Sequence, residues 1–190
     1  MENTTLATTK TAVDRLNKSL EKSNLDALVQ AKTRRSLLLV DCSGSMRDRI
    51  RTGERKIDAL RKVVVTLREQ HPVPVAAFGA RENVVLVNEV PEPCGSTPLA
   101  SAIDYGRTEG ASHLVVVTDG QPDSETDAFE AARQFKGPVD VFYIGDGNDH
   151  GARFSRELAE MTGGSINLTD LGDPKRLVGK IAGLLGEATV

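Results

Sequence analysis

Ser36-Leu37-Leu38-Leu39-Val40-Asp41-Cys42-Ser43-Gly44-Ser45-Met46 is the stretch that decides how the chain is read. Four apolar residues follow one another without polar alternation and then break into a short polar loop. A strand covered on one face alternates; an unbroken apolar run is expected where helices cover both faces, as in a parallel sheet. Leu114-Val115-Val116-Val117 repeats the pattern and runs into Thr118-Asp119-Gly120. Working outward from these two runs, strands are expected at 36–41, 73–78, 84–89, 113–119, 139–145 and 165–168. Helices are expected at 56–70, 98–109, 125–135, 153–161 and 174–187, alternating with the strands. The 73–78 and 84–89 segments lie too close together for a parallel crossover, so they should form a hairpin. The expected fold is α/β: a doubly wound, mostly parallel sheet with one antiparallel edge strand and helices on both faces.

Residues 1–35 read differently. They hold no Gly or Pro, and Val13, Leu16, Leu20, Ala27 and Leu28 recur at helical spacing. An N-terminal helical extension over 1–35 and a metal-binding domain over 36–190 are expected. Asn24 can cap a second segment, so one long helix or two short ones fit, laid along the domain or offered to a partner. Seven basic against four acidic side chains give this segment a net +3, leaving −6 for the remainder within the overall −3.

Composition excludes several function classes. With 190 residues the chain can bury one core, and 39% hydrophobic residues suffice for it. No apolar run approaches a membrane span, and the first residues lack the layout of a secretory signal. A cytoplasmic location is expected. Two cysteines, Cys42 and Cys94, make no disulfide framework or cysteine zinc site. Nucleic acid is a weak option, because the domain is acidic and aromatic residues are only 4%.

The polar residues beyond the two apolar strands carry the chemistry. In a doubly wound sheet, ligands bind at the carboxyl ends of strands where strand order reverses. If the first strand and the 113–119 strand are neighbours there, Asp41 and Asp119 face one crevice. Gly95-Ser96-Thr97-Pro98 opens a helix and can bring Thr97 to it. Asp41, Ser43, Ser45, Thr97 and Asp119 offer two carboxylates and three hydroxyls, an all-oxygen set that suits Mg²⁺, with Mn²⁺ or Ca²⁺ as alternatives.

Asp41-x-Ser43-x-Ser45, then Thr97, then Asp119, resembles the metal-ion-dependent adhesion site of von Willebrand factor A domains, over about residues 36–187. The wording around these positions is most similar to prokaryotic intracellular members. The resemblance implies direct ligation by the hydroxyls of Ser43, Ser45 and Thr97, with Asp41 and Asp119 acting through water. It also implies a non-enzymatic protein-interaction module whose partner supplies an Asp or Glu to the ion, such as a component of an AAA-type ATPase complex. Arg47, Arg49, Arg51, Arg55 and Lys56 beside the loop would form a basic rim for an acidic partner, or a solvated loop.

A competing reading comes from Gly145-Asp146-Gly147-Asn148-Asp149, which resembles the last acidic motif of haloacid-dehalogenase phosphatases. Asp41 would then be a nucleophile and Asp146 or Asp149 further ligands. Against it, Ser43 stands where that chemistry wants a second Asp. Gly145–Asp149 is otherwise a Gly-rich loop after a strand. The histidines His71, His113 and His150 have no closely spaced partner, and His113 reads as structural.

Overall fold

A computed structural model describes residues 35–80 and 84–185. The helical extension expected over 1–35 lies outside the described residues, Arg35 apart. The apolar runs become the two central strands. β1 (Ser36–Asp41) and β4 (His113–Thr118) pair in parallel, Ser36 beside His113 and Val40 beside Val117. Leu37 to Val40 and Leu114 to Val117 are at most 3% exposed, so both faces of each strand are covered.

The remaining strands are β2 (Val75–Phe78), β3 (Val85–Leu86), β5 (Val139–Ile144) and β6 (Ile166–Thr169). The sheet order is β3-β2-β1-β4-β5-β6. All neighbours run parallel except β3, which pairs antiparallel with β2 through Ala76 with Leu86 and Ala77 with Val85. The expected hairpin is present, but β3 is two residues long where six were expected. Val85 and Leu86 are both exposed. An outer strand with no buried face gains little from extending its ladder.

Helices α1 (Lys56–Gln70), α2 (Leu99–Thr108), α3 (Glu125–Gln134), α4 (His150–Thr162) and α5 (Pro174–Leu185) complete the domain. Period-two alternation along the strands divides the core. Leu38, Val40, Val115, Val117 and Phe142 pack with Leu60, Val63 and Leu67 of α1 and with Leu177 and Ile181 of α5. Leu37, Leu39, Leu114, Val116 and Val141 pack with Ile103 of α2, Ala128 and Ala132 of α3, and Leu158 of α4. Each buried aliphatic side chain contributes about 1.5–3 kcal/mol relative to exposure. Helix α4 begins three residues earlier than expected because Asp149 caps it, accepting from the Ala152 amide at 2.8 Å. It ends at Gly163, whose φ of 75° closes the last turn.

The order places β1 between β2 and β4, so consecutive connections leave β1 in opposite directions. The switch point lies between the carboxyl ends of β1 and β4. Asp41 ends β1, and Asp119 follows β4 directly.

Candidate metal centre

Three loops meet over the end of β1, and backbone atoms join them. Cys42 N–H donates to Phe78 O (2.7 Å), Cys94 N–H to Cys42 O (2.8 Å), and Gly44 N–H to Gly95 O (3.1 Å). Gly79 and Gly95 allow this approach. Both have positive φ, 90° and 76°. A Cβ on Gly79 would lie 2.7 Å from Ser43 N, and one on Gly95 2.6 Å from Gly79 O, so no side chain fits at either. The segment beginning with Thr97 is thereby locked beside the Ser43–Ser45 turn, a short 3₁₀ helix over Gly44–Arg47.

The oxygen donors then converge. Ser43 Oγ and Ser45 Oγ are 3.0 Å apart, and Ser45 Oγ donates to Asp119 Oδ1 at 2.6 Å. A methyl group on Gly120 would lie 3.6 Å from Thr97 Oγ1 and 3.8 Å from Ser45 Oγ, so both hydroxyls border the same space. Asp41 stands behind them, fully buried. Its Oδ1 accepts from Ser43 N–H (2.7 Å) and its Oδ2 from the Thr118 hydroxyl (2.6 Å). Burial pushes its carboxyl up to about 6; the Thr118 and Ser43 hydrogen bonds pull the other way, and the charge of Asp119 adds to the rise. Asp41 thus holds the backbone of the hydroxyl-bearing loop, with both its oxygens engaged.

Sequence reasoning missed three supporting residues. Lys56, at the start of α1, places Nζ 2.6 Å from Asp119 Oδ2, whose side chain is fully buried. Asp123 accepts from Thr97 N–H (2.8 Å) and the Ser96 hydroxyl (2.7 Å), fixing the Thr97 turn. Thr118 is the third, through its bond to Asp41. In the sequence Lys56 reads as part of the basic rim, and nothing local distinguishes it there. That rim is largely spent within the molecule. Arg55 pairs with Asp58 and Glu92, Arg47 donates to Pro93 O, and Arg49 to Gly53 O.

The donor chemistry fits a hard divalent cation: every candidate atom is oxygen, and the charge comes from carboxylates. Among the described residues, no three His, Cys, Asp or Glu side chains come together as ligands. A borderline metal with nitrogen or sulfur ligands has no such place there. Cys42 is no substitute, since burial, with Asp41 adding, pushes its thiol up to about 12. A cavity of about 350 Å³ lined by Leu168, Asp170, Asp173 and Arg176 shares no residue with the oxygen cluster.

His113 has partners far away in sequence. Its Nδ1 lies 2.9 Å from Ser36 Oγ and its Nε2 2.7 Å from Asp140 Oδ2. Asp140 Oδ1 accepts from both the amide and the hydroxyl of Ser165, at 2.7 and 2.6 Å. His113 is fully buried. The chain joins β1, β4, β5 and the residue before β6 at the amino ends of the strands, away from the oxygen cluster. His113 is structural, as expected from its sequence context.

The phosphohydrolase expectation is corrected by geometry. Neither Asp41 oxygen is free to attack, both being hydrogen-bonded in the interior. Asp149 caps α4 and accepts from Tyr143 Oη at 2.9 Å, while Asp146 accepts from the Asn148 amide. These are loop-forming roles.

No family model matches the chain, and no curated protein matches it. Among solved structures, one similar chain is a DNA-binding response regulator of the LuxR family from Staphylococcus aureus. It is 11% identical, with TM-score 0.44, covering 80% of this chain and 99% of that one. Another is a response regulator protein from Burkholderia multivorans, 16% identical, with TM-score 0.41, covering 83% and 100%. Likeness at this level carries nothing about what this chain does. The resemblance stated from the sequence is corrected by the family comparison: no model matches the chain, that of von Willebrand factor A domains included. The adhesion-site interaction module that the resemblance implied is corrected with it. Five positions in a short pattern were too few to define a family. Among the described residues, no helix is long and apolar enough to cross a membrane.

Proposed function

We propose that this protein is a divalent-cation-binding domain, with Mg²⁺ as the ion, Ser43, Ser45, Thr97 and Asp119 as the residues that hold it, and Asp41 as the carboxylate behind them that supports their loop. The observation that carries the reading is convergence. Hydroxyls and carboxylates from three separate loops border one space at the switch point of the sheet. Their mutual contacts are Ser43 Oγ to Ser45 Oγ (3.0 Å) and Ser45 Oγ to Asp119 Oδ1 (2.6 Å). Ser45 is exposed, so the space opens to solvent. The buried Asp119 carboxylate already accepts a cationic partner in Lys56.

The reading is of a binding domain, not a catalyst. Among the described residues the cluster holds no histidine beside the serine hydroxyls, the Asp119 carboxylate next to Ser45 is paired with Lys56, and Asp41 is committed to Ser43 and Thr118. A bound divalent ion would supply positive charge beside the Asp119 carboxylate, which otherwise depends on Lys56. Asp41 and Asp123 keep the loops in register for it.

Calorimetric titration of the full chain with Mg²⁺ and Mn²⁺ tests the proposal. Saturable binding to one site, strongly weakened in Asp119→Asn and less so in Thr97→Ala, is expected. Wild-type protein that takes up no ion at millimolar concentration, or variants that bind as wild type does, would overturn it.

A further inference from the structure

We infer that Lys56 is a built-in competitor for the cation: its ammonium group neutralises Asp119 when the ion is absent and must leave when the ion binds. The inference rests on the cation-binding reading above and adds its regulation. Lys56 Nζ lies 2.6 Å from Asp119 Oδ2 and 3.9 Å from Asp48 Oδ2. Its side chain is 18% exposed, and that of Asp119 is fully buried. The other Asp119 oxygen belongs to Ser45, so this carboxylate is shared between the hydroxyl cluster and the lysine.

The position of Lys56 makes an incidental contact a poor account. It is the first residue of α1, where the helix dipole presents its positive end and disfavours a cation. What favours the ammonium group there is Asp119. The loop before it is braced for this placement: Lys56 N–H donates to Asp48 O (2.8 Å), Ile50 N–H to Glu54 O (2.8 Å), and Arg49 bridges to Arg55. A divalent ion bound to Asp119 would repel the ammonium group across a few ångströms of poorly solvated space. Lysine suits such a role, since its flexible stem lets a compact charge swing out to water. Ion affinity is then set by a difference, ligation gained against an ion pair lost.

Two measurements on the full chain test this. In calorimetric titration with Mn²⁺, Lys56→Met should bind about tenfold tighter or more than wild type, and Lys56→Arg should stay near wild type. Lys56→Gln serves in place of Lys56→Met if that variant does not fold. In wild-type protein, acetylation of Lys56 by acetic anhydride, read by mass spectrometry, should be slow in chelator and accelerate on addition of Mn²⁺. Equal affinities, or a Lys56 that stays protected at saturating Mn²⁺, would overturn the competitor role and leave the cation site standing. Binding by Lys56→Met but not by wild type would support the role in its strongest form. Binding by neither would overturn both readings.

Discussion

The two ends of the central sheet carry polar clusters built from the same strands, and they are made differently. At the amino end, Ser36, His113, Asp140 and Ser165 form a closed chain in which His113 and Asp140 are buried and both Asp140 oxygens are engaged. At the carboxyl end, the cluster reaches exposed Ser45, and a lysine on a neighbouring helix balances Asp119. Two carboxylates show the contrast. Burial raises both Asp41 and Asp140, but hydrogen bonds from His113 and Ser165 outweigh it at Asp140, whose carboxyl is held below the usual range. At Asp41 the hydrogen bonds from Thr118 and Ser43 do not outweigh burial, and the carboxyl stands at about 6. A closed network secures a fold; an open one, with charge held in suspense, is suited to a ligand.

Asp140→Ala should have the largest effect, costing about 3–5 kcal/mol in urea unfolding, since His113 and the Ser165 amide lose their shared partner. Mn²⁺ affinity should not move; a parallel loss of ion binding would mean that the two ends are coupled.

The next test is pH, with chelator present. Asp41 titrates at about 6 in the folded chain against an ordinary value of 3.8 for the carboxyl in the unfolded chain. Between those values the native state holds the proton that the unfolded chain has released, so stability falls as pH rises, by roughly 3 kcal/mol in all. Asp140 has the opposite sign: its contribution is complete above 3.8 and is lost as pH falls through its lower folded value. Asp41→Asn should flatten the decline between pH 4 and 6, and Asp140→Asn the loss in more acidic solution. Unfolding measured over a pH series decides both, and unchanged slopes would reject the burial account.

At the open end, Asp119→Asn should weaken Mn²⁺ binding by about a hundredfold, and Thr97→Ala by about tenfold with a stability change under about 1 kcal/mol. Thr97→Ser, which keeps the hydroxyl, should restore most of the affinity. A Thr97→Ala chain that binds as wild type would remove that hydroxyl from the ligand set.

The sheet was legible in the sequence because its signals are local and apolar. Leu37–Val40 and Leu114–Val117 declare burial on both faces by themselves, and the short span after Phe78 leaves only a hairpin. The length of β3 was not legible, since termination of an edge strand depends on what covers it. In the cluster, Asp41, Ser43 and Ser45 stand together in sequence, and the structure brings Thr97 and Asp119 to them. Lys56, Thr118 and Asp123 escaped notice because their partners are 63, 77 and 26 residues away. A lysine in a run of arginines looks like every other surface charge until the fold aims it. The same short pattern misled in one respect: an oxygen-ligand arrangement is chemistry that unrelated chains can reach, and it does not by itself establish descent.

Gly79 and Gly95 have a consequence for how this molecule tolerates change. The loops they join are held by main-chain atoms pressed together, with Gly44, Cys42 and Cys94 contributing amides and carbonyls in place of side chains. Such a joint is indifferent to what many neighbouring side chains are, but not to a single added carbon or a one-residue change in loop length. The chemistry of the cluster is therefore open to revision residue by residue, while its spacing is fixed as one piece.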